Sequence, residues 1–314
     1  MPGTLRPYRP DPDFLAVRDL LAASYGRYGR PVNWGIERWN YSRYFVTPML
    51  AGPDEAAIAQ AIAAWEASVG LWAAPDGSVA GVVCTEHVVR WHPSAYDVFI
   101  QHVPDHDGLL DEMLAYAEKT FAQGDGAVRV LIADDDAPLQ AAAQARGYRE
   151  DPGHTEPDSV YATPNAAPAP ALPAGYRLRS MAEGGDLALR ARGFGEGFNH
   201  PDPADWPCVA SYASLLQAPD YHPDLDLYVV APDGLYVSFC ILWPCLSQRI
   251  AMLEPVGTHP QHRRRGLART VVLEAIRRAA ALGVEKVYVG SDQAFYRAVG
   301  FVPCGIRHAW VRQP

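Results

Sequence analysis

The chain has 314 residues, of which 49% are hydrophobic and 20% charged, and no apolar run reaches the ~18 residues that a membrane-spanning helix needs. This excludes a largely disordered or collagen-like chain and suits two domains of ordinary size. The formal charge of -9 is uneven, with 12 Lys and Arg against 23 Asp and Glu in residues 1–165, and 15 against 13 in residues 166–314. An acidic front half argues against nucleic acid as a partner, and serves either to attract a cationic substrate or simply to keep the protein soluble.

The spacing predicts a helix over Asp13–Ala23, then an aromatic-rich stretch with Tyr25, Tyr28, Trp34, Trp39, Tyr41, Tyr44 and Phe45. These rings wall an acceptor pocket or fill a core. A hairpin over Val69–Glu86 turns at Pro75-Asp76-Gly77. Strand Tyr96–Val103, helix Leu109–Phe121, strand Val128–Ala133 and helix Ala137–Arg146 follow.

The stretch Ala162–Ala174, ATPNAAPAPALPA, is rich in Pro and Ala without an apolar period and reads as a semi-rigid linker. It divides the chain into residues 1–162, a linker at 163–174, and residues 175–314.

In the second half, strand Tyr176–Met181 precedes helices near Glu183–Arg192 and Ala204–Gln217. Gly193-Phe-Gly-Glu-Gly197 follows a helix rather than a strand, so it reads as a loop and not as a dinucleotide-binding turn. Asp226–Val230 and Leu235–Leu242 form a hairpin around Pro232-Asp233-Gly234, and Arg249–Thr258 is a further strand. Pro255 cannot donate to a ladder, so that strand is expected to bulge or splay there. Ala268–Leu282 has helical spacing, with Gly283 as its cap. Lys286–Gly290 is a strand, Gln293–Val299 a short helix, and Phe301–Val311 closes the order. The fold class is α/β with a mixed, mostly antiparallel sheet, and the first half repeats the order of the second as a blurred tandem copy.

Five cysteines, Cys84, Cys208, Cys240, Cys245 and Cys304, are odd in number and lack C-x-x-C spacing, which counts against a disulfide framework or zinc site. Together with a start, MPGTLRPYRPDPDF, that has no apolar signal core, they suit a reducing cytoplasm. His259 and His262 are near each other without a third ligand, and no metal is expected.

The strongest chemical signal is Arg263-Arg264-Arg265-Gly266-Leu267-Ala268, between a strand and a helix. Successive N–H groups at a helix start cradle an anion, and the helix dipole favours phosphate there. Small Gly266 and Ala268 allow close approach, while the arginines add charge. A purely structural basic N-terminus would oppose the dipole.

These residues resemble the signature of the GNAT acetyltransferases, (Arg or Gln)-x-x-Gly-x-(Gly or Ala), met by Arg263, Gly266 and Ala268. A second landmark of that family, Tyr-x-x-x-Gly-Phe, is met by Tyr296, Gly300 and Phe301. The resemblance covers about Gly175–Val311 and implies a tandem protein with one working domain. It implies that the N–H groups of Arg264 to Ala268 hold the pyrophosphate of acetyl-CoA, that the pantetheine arm pairs with Val256 and Thr258, and that Val256 N–H holds the oxyanion. It makes Glu254 the general base, against a structural or solvated carboxylate, and Tyr296 the general acid, against a packing aromatic. Phe198, His200 and Trp206 lie where the family places acceptor contacts. The family's Asn upstream of the Tyr is replaced by Ser291 and Asp292, with Asp292 a candidate contact to CoA.

In the first half, Asp107-Gly108 stands where the arginines should be, and Ala143 stands at the Tyr position. A carboxylate repels pyrophosphate, so the first copy is expected not to bind acetyl-CoA productively. The function implied is acetyl transfer from acetyl-CoA to a primary amine on a small molecule or peptide, by direct attack. The alternatives are a catalytically silent acyl-CoA-binding sensor and a thiol-cofactor synthase of the mycothiol type.

Overall fold

A computed structural model describes residues 3–88, 97–122, 126–163 and 171–313. Most of the Pro/Ala linker, residues 164–170, and Tyr96 lie outside the described residues. The first half runs β1 (Thr4–Arg6), α1 (Pro10–Tyr28), α2 (Ile36–Tyr41), α3 (Thr47–Ala51), α4 (Glu55–Ser68), β2 (Gly70–Ala73), β3 (Val79–Thr85), β4 (Asp97–His102), α5 (Leu110–Phe121), β5 (Val128–Ala133), α6 (Ala137–Ala145) and β6 (Arg149–Ala162). The second runs β7 (Arg177–Ser180), α7 (Leu187–Gly197), α8 (Val209–Leu215), β8 (Asp226–Val230), β9 (Tyr236–Cys245), β10 (Ile250–Thr258), α9 (Leu267–Ala281), β11 (Lys286–Val289), α10 (Ala294–Val299) and β12 (Val302–Arg312).

The chain forms two compact units that do not follow a linear cut. Unit 1 comprises Met1–Thr47, Ala59–Asp158 and Cys304–Pro314, and unit 2 comprises Pro48–Ile58 and Ser159–Pro303. The strand order in unit 1 is β1-β2-β3-β4-β5-β12. Its last strand is therefore the end of the chain, paired antiparallel with β5 from Arg307↔Ala133 to Arg312↔Val128. In unit 2, β7, β8, β9 and β10 are antiparallel neighbours and β10 runs parallel to β11. The end of β6 completes it, pairing with β11 from Lys286↔Ala162 to Val289↔Ser159.

In each unit the strands pack against an amphipathic helix whose period matches the buried face. In unit 2, Val271, Val272, Ala275, Ile276 and Ala279 of α9 pack on Leu227, Val229, Leu242, Ala251, Leu253 and Val287. Gly283, at φ +92°, ends that helix. In unit 1, Leu110, Met113, Leu114 and Ala117 of α5 pack on Val83, Val98, Ile100 and Val130. The aromatic stretch Tyr25–Phe45 resolves as core packing. Trp34, Trp39, Tyr41 and Phe45 are buried, and Trp39 stacks on Phe14 at 5.1 Å and meets Trp65 at 5.0 Å.

The segment Gly193–Gly197, expected as a loop, is the end of helix α7. A Cβ at Gly193 would stand 2.5 Å from the Tyr236 carbonyl oxygen, one at Gly195 2.1 Å from Trp206 Cδ1, and one at Gly197 2.8 Å from Phe239 Cε1. The glycines cost helix propensity, roughly 1 kcal/mol each, and in return let the helix lie against strand β9 and Trp206.

Candidate active site

Strand β10 is the axis of the site. Its parallel pairing with β11 runs from Ile250↔Lys286 to Met252↔Tyr288 and ends there. On its other side, Leu253 pairs with Leu242 and Val256 with Cys240, so Glu254 and Pro255 together oppose Ile241 alone. That is a bulge at the proline, as its missing N–H requires. Beyond the bulge, the N–H of His259 donates to the Val237 carbonyl of β9 at 2.8 Å. Because N–H directions alternate along a strand, Gly257 shares that direction, and the N–H groups of Val256 and Thr258 point away from β9, on the side that β11 has left.

The loop after β10 winds into a cradle. Arg263 is extended, Arg264 has φ +60° and Gly266 φ +81°, so two residues of left-handed φ turn the chain ahead of α9. Thr270 N–H donates to the Gly266 carbonyl at 3.0 Å, so the N–H groups of Gly266, Leu267 and Ala268 precede the helical ladder. Space within 4 Å of a Cβ on Gly266 is open. Leu267 itself is core, 2% exposed, and offers only its backbone.

The arginines divide into different tasks. Arg263 braces the loop, with Nε donating to the Thr258 carbonyl at 2.9 Å and Nη2 to the Gly197 carbonyl at 3.2 Å and Asn199 Oδ1 at 2.8 Å. Arg265 donates to the Tyr176 hydroxyl at 2.9 Å, which in turn lies 2.9 Å from His262 Nδ1. Burial and the neighbouring His259 and Arg265 hold the His262 pKa below its usual value. Arg264 is exposed.

Tyr296 is half-buried on the short helix α10, its ring 5.7 Å from Phe301 and 5.1 Å from Phe295. Its carbonyl accepts from the N–H groups of Gly300 and Phe301, which explains the Tyr-x-x-x-Gly-Phe spacing: Gly300 needs φ +122° to make that turn. Burial pushes the Tyr296 phenol up to about 12, and the second cause is the negative charge of Glu254, so the two groups share one electrostatic neighbourhood. Glu254 is half-buried, and its carbonyl accepts from Trp243 Nε1 at 2.8 Å. Asp292 pairs with Arg297 at 2.6 Å on the surface.

On the other face, Phe198 meets Phe194 at 4.6 Å and Phe239 at 6.0 Å, and is 39% exposed. Trp206 Nε1 donates to the His200 carbonyl at 2.9 Å, so the three expected acceptor residues form one loop behind α7. Sequence reasoning passed over Glu196, whose Oε2 lies 3.7 Å from His259 Nε2. Among the described residues, one group has metal-ligand spacing, Asp97, His154 and Glu156 in unit 1, and Asp97 there already accepts from Arg129. No helix among the described residues is long and apolar enough to cross a membrane.

This geometry can seat an extended amide-bearing arm on the free edge of β10 and a phosphate on the cradle, with a carboxylate and a neutral phenol nearby. Residues 192–302 match the family described as acetyltransferase (GNAT) family. The chain carries a GNAT acetyltransferase domain. A mycothiol acetyltransferase from Thermobispora bispora is 28% identical over 151 residues, 43% of this chain and 49% of the relative, so the match spans about half of that relative's length. In fold, the chain is similar to a GCN5-related N-acetyltransferase from Sphaerobacter thermophilus, with TM-score 0.60, 18% identity and coverage of 99% of this chain and 95% of that one. It is also similar to a tandem GNAT protein from the clavulanic acid biosynthesis pathway, with TM-score 0.64, 15% identity and coverage of 99% and 98%.

Proposed function

We propose that unit 2 transfers an acetyl group from acetyl-CoA to the nitrogen of a primary amine by direct attack, in the cytoplasm. The observation that carries this reading is the conjunction of a strand edge released after Met252 with the left-handed loop at Arg264 and Gly266. The edge offers the Val256 carbonyl and the Thr258 N–H to the pantetheine amides, which leaves the Val256 N–H for the thioester oxygen. The loop offers the N–H groups of Arg264 to Ala268 to pyrophosphate, with exposed Arg264 as the countercharge.

An ammonium has no lone pair, so the acceptor must lose a proton before it attacks, and Glu254 is the carboxylate that takes it. Negative charge then grows on the thioester oxygen, where the N–H of Val256 stabilises it. The departing thiolate accepts a proton from the Tyr296 phenol, which its raised pKa keeps neutral at physiological pH. Phe198, His200 and Trp206 line the acceptor side. Asp292, tied to Arg297, contributes to CoA binding only if that pair opens.

Release of free thiol from acetyl-CoA over a panel of amines tests the reading. Acceptor-dependent release supports it. Tight CoA binding with no release over any amine favours a silent acyl-CoA sensor instead. The 28% match to a mycothiol acetyltransferase gives a second reading, thiol-cofactor synthesis. Deacetylated mycothiol therefore belongs in the panel, and a preference for it of several orders of magnitude over simple amines would select that reading.

A further inference from the structure

Unit 1 repeats the arrangement that opens the site in unit 2, and then closes it. Its parallel pair, β4 with β5, runs only from Asp97↔Arg129 to Val98↔Val130. Beyond that point, the gap is bridged by a side chain from the segment between α1 and α2. The Asn33 carboxamide oxygen accepts the N–H of Ala133 on β5 at 2.8 Å. Its nitrogen donates to the Ile100 carbonyl of β4 at 3.2 Å and to Asp136 at 2.7 Å. The remaining Ala133 carbonyl accepts from Gln140 at 2.8 Å. Ile100 stands two residues past the last parallel pair and Ala133 three past it; the same offsets in unit 2, counted from Met252 and Tyr288, fall on Glu254 and Ser291. In unit 2 the Ser291 hydrogen bonds stay local, its N–H going to Val289 and its hydroxyl accepting from Gln293.

The segment that delivers Asn33 is built for the task. Asn33 is fully buried with φ +52°, and the Trp34 N–H reaches back to the Val32 carbonyl at 2.6 Å, a tight and strained three-residue turn. Trp34 packs on Phe99 of β4, Tyr25 hydroxyl accepts from Ile36 N–H at 2.6 Å, and Arg307 donates to the Asn33 carbonyl at 3.3 Å. The loop ahead of α5 is closed too. It winds as a tight helical turn, Pro104–Leu109, in which His106 N–H goes to Val103 and Leu110 N–H to Asp107. The cradle of left-handed residues seen in unit 2 is replaced by this turn.

We propose that Asn33 is a built-in plug for the splay of unit 1: its carboxamide bridges β4 and β5 just past their last parallel pair, filling the gap that a pantetheine arm would have to enter, so that unit 1 takes no acyl-CoA while its strand edges stay satisfied. This rests on the reading of unit 2 as the acetyl-CoA site. An amide is what the gap requires, since one edge offers a donor, the other an acceptor, and a buried backbone group left alone costs ~1–3 kcal/mol.

Residue-resolved amide hydrogen exchange on the full chain, without and with acetyl-CoA, tests it. The Ala133 amide should be strongly protected in the free protein and unchanged within about twofold by acetyl-CoA, while Val256 and Thr258 slow by about tenfold or more. Fast exchange at Ala133 in the free protein, or protection gained there with acetyl-CoA, would overturn the proposal. If acetyl-CoA protects neither unit, the reading of unit 2 fails, and the free-state protection of Ala133 still decides whether Asn33 holds the gap. Asn33→Gly keeps the left-handed turn and removes the carboxamide, so Ala133 exchange should accelerate by about tenfold, and millimolar pantetheine should restore protection. A folded variant with unchanged Ala133 exchange, or one that pantetheine leaves unprotected, would overturn the proposal. Should the variant fail to fold, the exchange pattern of the parent chain remains the deciding measurement.

Discussion

The indole N–H of Trp243 donates to the carbonyl of Glu254 at 2.8 Å, across the point where β10 bulges away from β9. A buried side chain thereby holds the backbone of the residue assigned as base. Trp243→Phe removes this bond and some ring volume. Stability should fall by roughly 1–3 kcal/mol, from the lost hydrogen bond and the smaller ring. In the fraction still folded, kcat should fall more than the KM for acetyl-CoA rises. Denaturant melts with steady-state kinetics check this, and an unchanged kcat would separate the bulge from catalysis.

Gly266 carries φ +81° with open space where a Cβ would go. Gly266→Ala therefore acts through backbone strain rather than collision, at about 1–2 kcal/mol. Acetyl-CoA affinity should fall while the KM for amine stays within a factor of about two. Gly266→Asn, which tolerates the left-handed region, should retain more affinity than Gly266→Ala. Calorimetry on the three proteins decides, and equal losses in both variants would rule out the conformational account.

Burial and the charge of Glu254 push the Tyr296 phenol up to about 12, so it stays neutral between about pH 6 and 10. Tyr296→Phe should lower kcat about 10²-fold with little change in CoA affinity, and this loss should be flat between about pH 6 and 10. Glu254→Gln should lose most at low pH, where the amine is an ammonium, and recover in part as pH rises. Removing the Glu254 charge also removes one cause that raises the Tyr296 pKa, so its tyrosinate should form at lower pH. Absorbance titration of Glu254→Gln with and without Tyr296→Phe reads that shift, and no movement would uncouple the two groups.

Helix α7 is tied to β8 by a fully buried ion pair, Arg190 with Asp226 at 3.1 Å, with Tyr221 completing the carboxylate at 2.9 Å and the guanidinium lying 4.2 Å over Phe239. Arg190→Met leaves a carboxylate buried without its cation and should cost about 3–5 kcal/mol. Arg190→Met with Asp226→Leu should recover much of that. A urea denaturation cycle measures the coupling, and strictly additive losses would mean that the pair does not act as a unit.

Much of unit 2 was legible because its signals are local. Pro255 announces the bulge by lacking an N–H, and Gly266, Gly283 and Gly300 sit where φ must be positive. Long-range placement was not legible. The glycines of α7 look like a loop until the surfaces of Tyr236, Trp206 and Phe239 are known, since helix propensity yields to packing. Nothing near Asn33 in sequence reveals that Ile100 and Ala133 lie on either side of it. Helix α4, in which alanine fills half of the 14 positions, offers too weak an apolar period to be read.

The assignment of β12 to unit 1 bears on how the protein is made. A ribosome releases the chain from the N-terminus, so β1 to β5 emerge early, yet β12, the strand that pairs with β5, follows only after β7 to β11 have been made. Until then, the β5 edge is without its native neighbour, and nascent unit 1 presents an open strand to the cell. A gene cut at the Pro/Ala stretch would yield a front piece permanently in that state. Its back piece would lack Ser159–Ala162, the neighbour of β11, and would carry β12 with nothing to pair. The two halves of the sequence therefore depend on each other for their strands, and the emergence of β12 is the step that covers the β5 edge.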